Sequence, residues 1–509
     1  MQTGIWFSPK VYFCFNLTKN AFDMKKYARL LCASLLLAMA SCLVTLSCSH
    51  RPERVYPLPT QQQLEWQQLE TYAFIHFGLN TFNDMEWGYG DTPAETFNPT
   101  DLDCEQWVLT LKAAGMKGVI FTAKHHDGFC LWPTETTDYN IRHTPYKDGQ
   151  GDVVGELCEA CRKHGLRFGL YLSPWDRHQA DYGREGYVAL YHQQIQELLE
   201  RYSPLFEFWF DGANGGDGWY GGACEKRAIV ASEYYDYEKA RDIVWRHSPQ
   251  AAIFGGTVPT LRWIGNERGW AAATQWCSYS MDYQDLNNPK LLATGLPDGE
   301  AWLPAEVDVS IRPGWFYHSS EDSLVKTVDQ LMELYDHSVG RNANLLLNFP
   351  VNKEGRIPAI DSANAVAWHQ RLQSDFAHNV LKGSEVHANS TRGRGFKASN
   401  VLKEGNCYWA VEDGVTCAEL VFTLKEPTKM NTLVLQERLS MGQRVKSFSV
   451  SYHANGHWLP IETEEPMTTI GHKRIIRFQP VTADQLRIRL HTRKGPVCLD
   501  RVGAYLAGD

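Results

Sequence analysis

From about residue 67 to 350 the chain alternates between two hydrophobic rhythms. Compact apolar runs, "TYAFIHFGL", "MKGVIFTAKHHDGF", "LRFGLYLSPWD", "LFEFWFDGAN" and "AAIFGGT", read as strands covered on both faces. Between them lie "CEQWVLTLKAAG", "VVGELCEACRKHG", "YVALYHQQIQELLERY" and "YDYEKARDIVWRHSP", whose apolar positions recur on one helical face. This β-α-β-α order predicts a parallel sheet, and its length favours a (β/α)8-like, TIM-type barrel over residues 55–375 rather than an open sheet. Polar residues gather where the apolar runs stop: His76, then His125 and His126, then Trp175 and Asp176, then Asp211. Those are the strand ends at which such a barrel presents its chemistry.

Beyond about residue 380 the helical rhythm stops. Short alternating stretches such as "TLVLQERL", "VKSFSVSYHA", "KRIIRFQP" and "QLRIRLHT" predict an antiparallel β-sandwich over residues 376–509. The stretch "ASNVLKEGNCYWAVEDGVTCAELVFTL" resembles the opening of discoidin-like, galactose-binding-like jelly-roll modules. A structural appendage and a sugar-binding module are both open on that pattern.

The first 48 residues read as a leader. A charged stretch restarts at Met24 with Lys25, Lys26 and Arg29, and the apolar run that follows has signal-peptide length, so Met24 is the expected true start. Cys42 and Cys48, each preceded by small residues, resemble the modified cysteine of a bacterial lipoprotein signal. The expectation is export, to the periplasm or to an outer-membrane lipoprotein anchor, with membrane attachment only through a lipidated leader cysteine. Four of the 13 cysteines fall in the leader and the rest are scattered, which is no disulfide framework. Cys158 and Cys161 form a C-x-x-C on a helical pattern, where packing or a facultative disulfide is expected before metal.

A net charge of −9 without massed Lys or Arg argues against nucleic acid as a partner. Aromatic residues make up 12 % of the chain, a composition that suits both plain cores and sugar-binding clefts.

Read by residue type, the histidines fit three roles: metal ligands, core residues hydrogen-bonded internally, or partners of ligand hydroxyls. The H-x-H and H-E-x-x-H spacings that put two imidazoles on one ion are missing, which disfavours the first. Asp211 has two readings. Aspartate commonly starts turns by bonding its own downstream backbone, but its place at a barrel-strand end, two residues after Trp209 on the same face, suits a nucleophile.

The set "FIHFGLNTF", "MEWG", "TAKHHDGFCLW", "GLYLSPWDRH" and "FEFWFDG", in this order, resembles glycoside hydrolase family 29, the retaining α-L-fucosidases. The segments "RWIGNERG" and "PAEVDVSIRPGWFYH" resemble its branch specialised for α-1,3- and α-1,4-linked fucose. The resemblance implies an exo-acting enzyme on fucosylated oligosaccharides that needs no metal or organic cofactor. It implies Asp211 as nucleophile; His76, His125, His126, Glu86, Trp87, Tyr171 and Trp209 as sugar-binding residues; and, more faintly, Arg262 and Trp315. Trp315 or Phe316 would wall the methyl group of the 6-deoxy sugar. For the acid/base, Glu267 is the first candidate and Glu306 the second. Residues 219–237 read as an inserted loop between Asp211 and Glu267. The competing readings are a barrel glycosidase for another sugar, a non-catalytic surface glycan-binding lipoprotein and a metal-dependent hydrolase.

Overall fold

The computed structural model describes residues 51–508. The leader expectation, including Met24, Cys42 and Cys48, lies outside the described residues. Eight short strands form the barrel: β1 (Thr71–Ile75), β2 (Gly118–Lys124), β3 (Arg167–Leu172), β4 (Glu207–Trp209), β5 (Ala252–Phe254), β6 (Arg262–Trp263), β7 (Ala305–Ser310) and β8 (Ala343–Asn348). All neighbouring pairs are parallel, in the spatial order β5-β4-β3-β2-β1-β8-β7-β6. The remaining gap between β5 and β6 is spanned where Thr260 N–H donates to Ile253 O at 2.9 Å and Ile253 N–H donates to Thr260 Oγ1 at 2.8 Å. The (β/α)8-like architecture expected from the alternating rhythm is therefore present.

Six helices cover the outer face: α1 (Cys104–Ala113), α2 (Val153–His164), α3 (Glu185–Tyr202), α4 (Tyr237–His247), α5 (Val328–His337) and α6 (Ala359–Asp375). Their starts follow from local chemistry. Asp103 and Asp152 each accept a backbone N–H three residues on, and Thr327 with Gln330 closes a reciprocal box that satisfies two otherwise orphaned donors. Cys158 and Cys161 sit buried and unbridged on α2, so packing is their role.

The barrel departs from the ideal repeat after β5 and β6. Residues 255–261 form a bare loop, and residues 264–304 carry only a 3-10 turn, Asp285–Asn287, a short helix, Pro289–Thr294, and a two-stranded ribbon, Ser278–Tyr279 with Ala301–Trp302. The second domain takes over the covering there. Gln275 N–H donates to Thr469 Oγ1 and Cys277 N–H to Gln443 Oε1, both at 2.8 Å.

That domain is a seven-stranded antiparallel sheet with its own apolar core, from Leu381 to Ala504. The long strand Cys417–Glu437 pairs with Glu385–Ala388 through its first half and with Cys498–Tyr505 through its second, and its pairing with Arg474–Thr492 breaks register between Thr423 and Thr428 and between Met430 and Thr432. One strand thus contributes to both layers of the sandwich. Residues 52 to the C-terminus form one compact unit. Its two domains are joined by Glu70 to Lys473 and His472, Arg341 to Glu465, and Arg477 to Asp336.

Candidate active site

Side-chain alternation along the strands divides the barrel interior into levels. On β4 and its extension, Glu207, Trp209 and Asp211 share the inner face, while Phe208 and Phe210 join the core under the helices. Glu207 lies at the floor, Trp209 at mid-height and Asp211 at the mouth. The mouth holds a cavity of about 450 Å3, lined by His76, Trp87, His125, His126, Tyr171, Trp209, Asp211, Glu267, Asp308 and Trp315 among others.

The two carboxylate oxygens of Asp211 have different partners, and one of them makes the turn that the sequence raised. Its Oδ1 accepts Ala213 N–H at 2.7 Å, which makes the turn. Its Oδ2 accepts from the Tyr171 hydroxyl at 2.9 Å and stands 3.8 Å from His126 Nε2, with the side chain 22 % exposed to the cavity. Both oxygens are fixed, so the carboxylate cannot swing away from whatever enters. Trp209 is held flat beneath it by stacking on Phe254, with ring centroids 3.8 Å apart. The chain leaves this strand through Gly212, around which a Cβ would meet nothing. The glycine that close approach does require is Gly255 on the next strand, at φ 77°, where a Cβ would collide with the Phe210 carbonyl.

The three histidines converge on the same cavity, with His125 and His126 ring centroids 4.1 Å apart and His76 and His125 5.6 Å apart. Two adjacent residues share one face because β2 ends at Lys124 and the chain bends there. The protonation pattern of each follows from its outer partner. Asn348 Nδ2 donates to Ser310 Oγ and to Trp315 O, so its Oδ1 faces His76 and accepts from Nδ1–H at 2.9 Å. Ser173 donates its hydroxyl to Trp175 O and so accepts from His126 Nδ1–H at 2.7 Å. In both rings the bare Nε2 is left as an acceptor. His125 is reversed: Asn80 Nδ2 approaches its Nδ1 at 3.4 Å, leaving Nε2–H as the donor. Burial keeps all three neutral, lowering His76 to about 3, His125 well below the usual imidazole range and His126 below it as well. Two acceptors and one donor in a dry pocket are suited to neighbouring hydroxyls.

Across the mouth, Glu267 accepts from Trp315 Nε1 at 3.2 Å. Burial, and then the Asp211 and Glu86 carboxylates, raise its pKa above the ordinary value against the opposing pull of the indole. Two carboxyls therefore line one cavity, one of them disposed to keep a proton. Trp315 also packs against His76 at 5.2 Å, and Phe316 packs against His76 and His125 at 5.3 and 5.0 Å.

Three expectations change with the tertiary structure. Arg262 is not at the cavity: it is 2 % exposed, and its guanidinium donates to the carbonyls of Leu292, Trp276 and Leu303. It faces out of the barrel because Trp263, its neighbour on β6, faces in. Glu306 is fully buried at the floor, where it accepts from Tyr72 Oη and from Trp209 Nε1 at 2.8 Å and lies close to the Glu207 carboxyl. Burial raises both carboxyls of that pair, and neither reaches the mouth. Glu86 does not line the cavity. It accepts from Trp315 N–H at 2.9 Å, Phe316 N–H at 3.1 Å and His318 Nε2 at 2.8 Å, and so holds the loop that carries Trp315. Asp176 and Asp127 also point away: the first is sealed in an ion pair with Lys124 at 3.0 Å, and burial lifts the second to about 7.

Sequence reasoning missed Asn348, which orients His76, and Asp308, which reaches the cavity one level above Glu306. The alternation in "EVDVS" is the signal that puts Asp308 on the same face as Glu306. Among the described residues no group of three or more His, Cys, Asp or Glu side chains is arranged to hold a metal ion.

Comparison with known proteins completes this picture. The α-L-fucosidase family profile matches residues 55–368, and the F5/8 type C domain profile matches residues 385–500. The chain is 39 % identical to α-L-fucosidase 1 of Arabidopsis thaliana over 465 residues, covering 89 % of this chain and 88 % of that protein. A glycoside hydrolase 29 family member from a rumen bacterium superposes with a TM-score of 0.81 at 41 % identity, over 90 % of this chain and 78 % of the other. A glycoside hydrolase 29 fucosidase of Ruminococcus gnavus, solved in complex with fucose, superposes with a TM-score of 0.82 at 32 % identity, over 91 % and 97 %.

Proposed function

The chain belongs to the α-L-fucosidase family and is a glycoside hydrolase, and from that premise we propose that it releases terminal α-1,3- or α-1,4-linked fucose from branched oligosaccharides by a retaining double displacement. Asp211 attacks the anomeric carbon, and Glu267 protonates the departing oxygen. Glu267 then takes a proton from the water that opens the fucosyl-enzyme ester. The observation that carries this reading is the pair itself: a carboxylate fixed at both oxygens and a carboxyl with raised proton affinity on one cavity wall each. Retention requires two carboxyls of this kind, with proton affinities pushed apart by their surroundings.

The histidines bind the sugar hydroxyls, and Trp315 with Phe316 supplies an apolar wall for the methyl group. Preference for branched substrates is supported by Tyr283, Leu286 and Asn287, which line the same cavity as Glu267 and offer surface to a second sugar ring. The test is a panel of fucosylated trisaccharides followed by proton NMR of the first product. Release of the α-anomer from the α-1,3 and α-1,4 members, and none by Asp211→Ala, is the expected result; β-anomer first, or ordinary rates from the variant, would sink the mechanism. We propose further that the protein is exported and lipidated at Cys42 or Cys48. Failure of both single Cys→Ala variants to change labelling by radioactive palmitate in a bacterial host would count against it.

A further inference from the structure

Asp308 is a buried acidic side chain that the two-carboxyl mechanism does not use. It is 3 % exposed and sits on the inner face of β7, one level above Glu306. Its surroundings at that height are aromatic: Phe74, Trp209, Phe254 and Trp263 line the same cavity. Trp263 Nε1 donates to Asp308 Oδ1 at 2.6 Å, and no other side chain among the described residues donates to or accepts from its carboxyl. Oδ2 is therefore the one polar atom of this carboxyl without a side-chain partner, on a residue that lines the cavity.

We propose that Asp308 is a substrate-binding residue whose Oδ2 takes one ring hydroxyl of the bound sugar while Trp263 anchors Oδ1. The proposal rests on the reading of this cavity as the fucose site and adds a residue to it. Its chemistry differs from that of the histidines. Burial, with Glu267 nearby, raises the proton affinity of Asp308 well above the ordinary carboxylate value. With Oδ1 accepting the indole N–H, Oδ2 is the oxygen left to carry a proton, and the protonated form donates it to a hydroxyl oxygen. Asparagine can imitate that arrangement, because its carbonyl accepts the indole N–H and its amide donates in place of Oδ2–H. Leucine, of similar size, can do neither.

The experiment measures calorimetric binding of L-fucose and of its 2-, 3- and 4-deoxy analogues to the full-length protein and to Asp308→Asn, Asp308→Leu and Trp263→Phe. Wild type is expected to bind one deoxy analogue about tenfold more weakly than fucose through loss of this contact. Asp308→Leu should bind that analogue and fucose alike while still discriminating at the other two positions, and Asp308→Asn should retain most of the wild-type pattern. Trp263→Phe separates anchoring from binding, since it should weaken all four ligands without erasing the selective difference. Equal weakening of all four ligands by Asp308→Leu, or a Trp263→Phe pattern identical to it, would overturn the assignment. A leucine variant that does not fold leaves the decision to Asp308→Asn, whose loss of affinity to the same extent for every ligand would likewise overturn it. Wild type that binds no fucose would instead overturn the functional reading beneath it.

Discussion

At the scale of single residues, the site is built by giving each polar group one outer partner and leaving one atom for the ligand. Asp211 spends Oδ1 on its turn, and His76 and His126 spend Nδ1 on Asn348 and Ser173. Glu267 follows the same logic through the Trp315 indole, and its raised proton affinity has a consequence for rate. On the proposed mechanism the protonated form needed for leaving-group departure is lost as pH rises through the raised value, so the alkaline limb of kcat/KM is expected to follow Glu267. Glu267→Ala is expected to lose roughly 10²–10⁴-fold on a fucosylated trisaccharide. It should keep hydrolysing fucosyl fluoride, whose leaving group needs no proton, with the alkaline limb gone and the rate increased by azide. An unchanged limb in the variant would remove Glu267 from the role. Asp211 was legible because its signal is local: an apolar run that stops on a carboxylate. Arg262 was misread because a local motif does not say which face of a two-residue strand turns inward.

Elements matter through what they hold in place. The loop Arg312–His318 brings Trp315 and Phe316 over the pocket, and its backbone is gripped by Glu86, seated in the loop after β1. His318 adds a second hold between Asp84 at 2.7 Å and Glu86 at 2.8 Å. Burial lowers the His318 pKa, but these two carboxylates outweigh it and raise it overall. The hold is thus fully present below about pH 6.5 and fades as pH rises through the raised value. Glu86→Gln is expected to raise KM about tenfold with a smaller fall in kcat, because it loosens the sugar wall and leaves Asp211 untouched. Equal falls in kcat and kcat/KM would instead place Glu86 in the transition state. The "MEWG" segment places Trp87 on the cavity and Glu86 behind it, and the sequence could not distinguish a residue that lines the cavity from one that grips a neighbouring loop.

For the whole molecule, the sandwich replaces the helices absent after β5 and β6, so the barrel wall is completed by a second domain. Glu70 is a main joint, bonded to His472 at 3.0 Å and also to Lys473 and the Tyr335 hydroxyl. Burial opposes its charge, yet the Lys473 ammonium and His472 outweigh that and hold its carboxyl well below the usual range. The stability from this joint is present above about pH 4.3, the unfolded value, and is lost as pH falls through the lower folded value. Glu70→Gln should cost roughly 1–3 kcal/mol at neutral pH, with allowance for partial exposure. The melting temperatures of the two proteins should draw together progressively as pH falls below about 4, and a gap that stays constant in acid would show that the charge of Glu70 is not what matters.

The amino-acid sequence determined what short-range chemistry can write. The strand rhythm, the change of rhythm near residue 380 and the polar stops at His76, His125, His126 and Asp211 all depend on neighbours a few positions apart. Only the tertiary structure decided depth and partnership. Glu306 and Asp308 share a face two residues apart, yet one is sealed at the floor against Glu207 and the other opens into the cavity. That difference is set by where strands distant in the chain place their side chains around the barrel, and by how much water those side chains exclude.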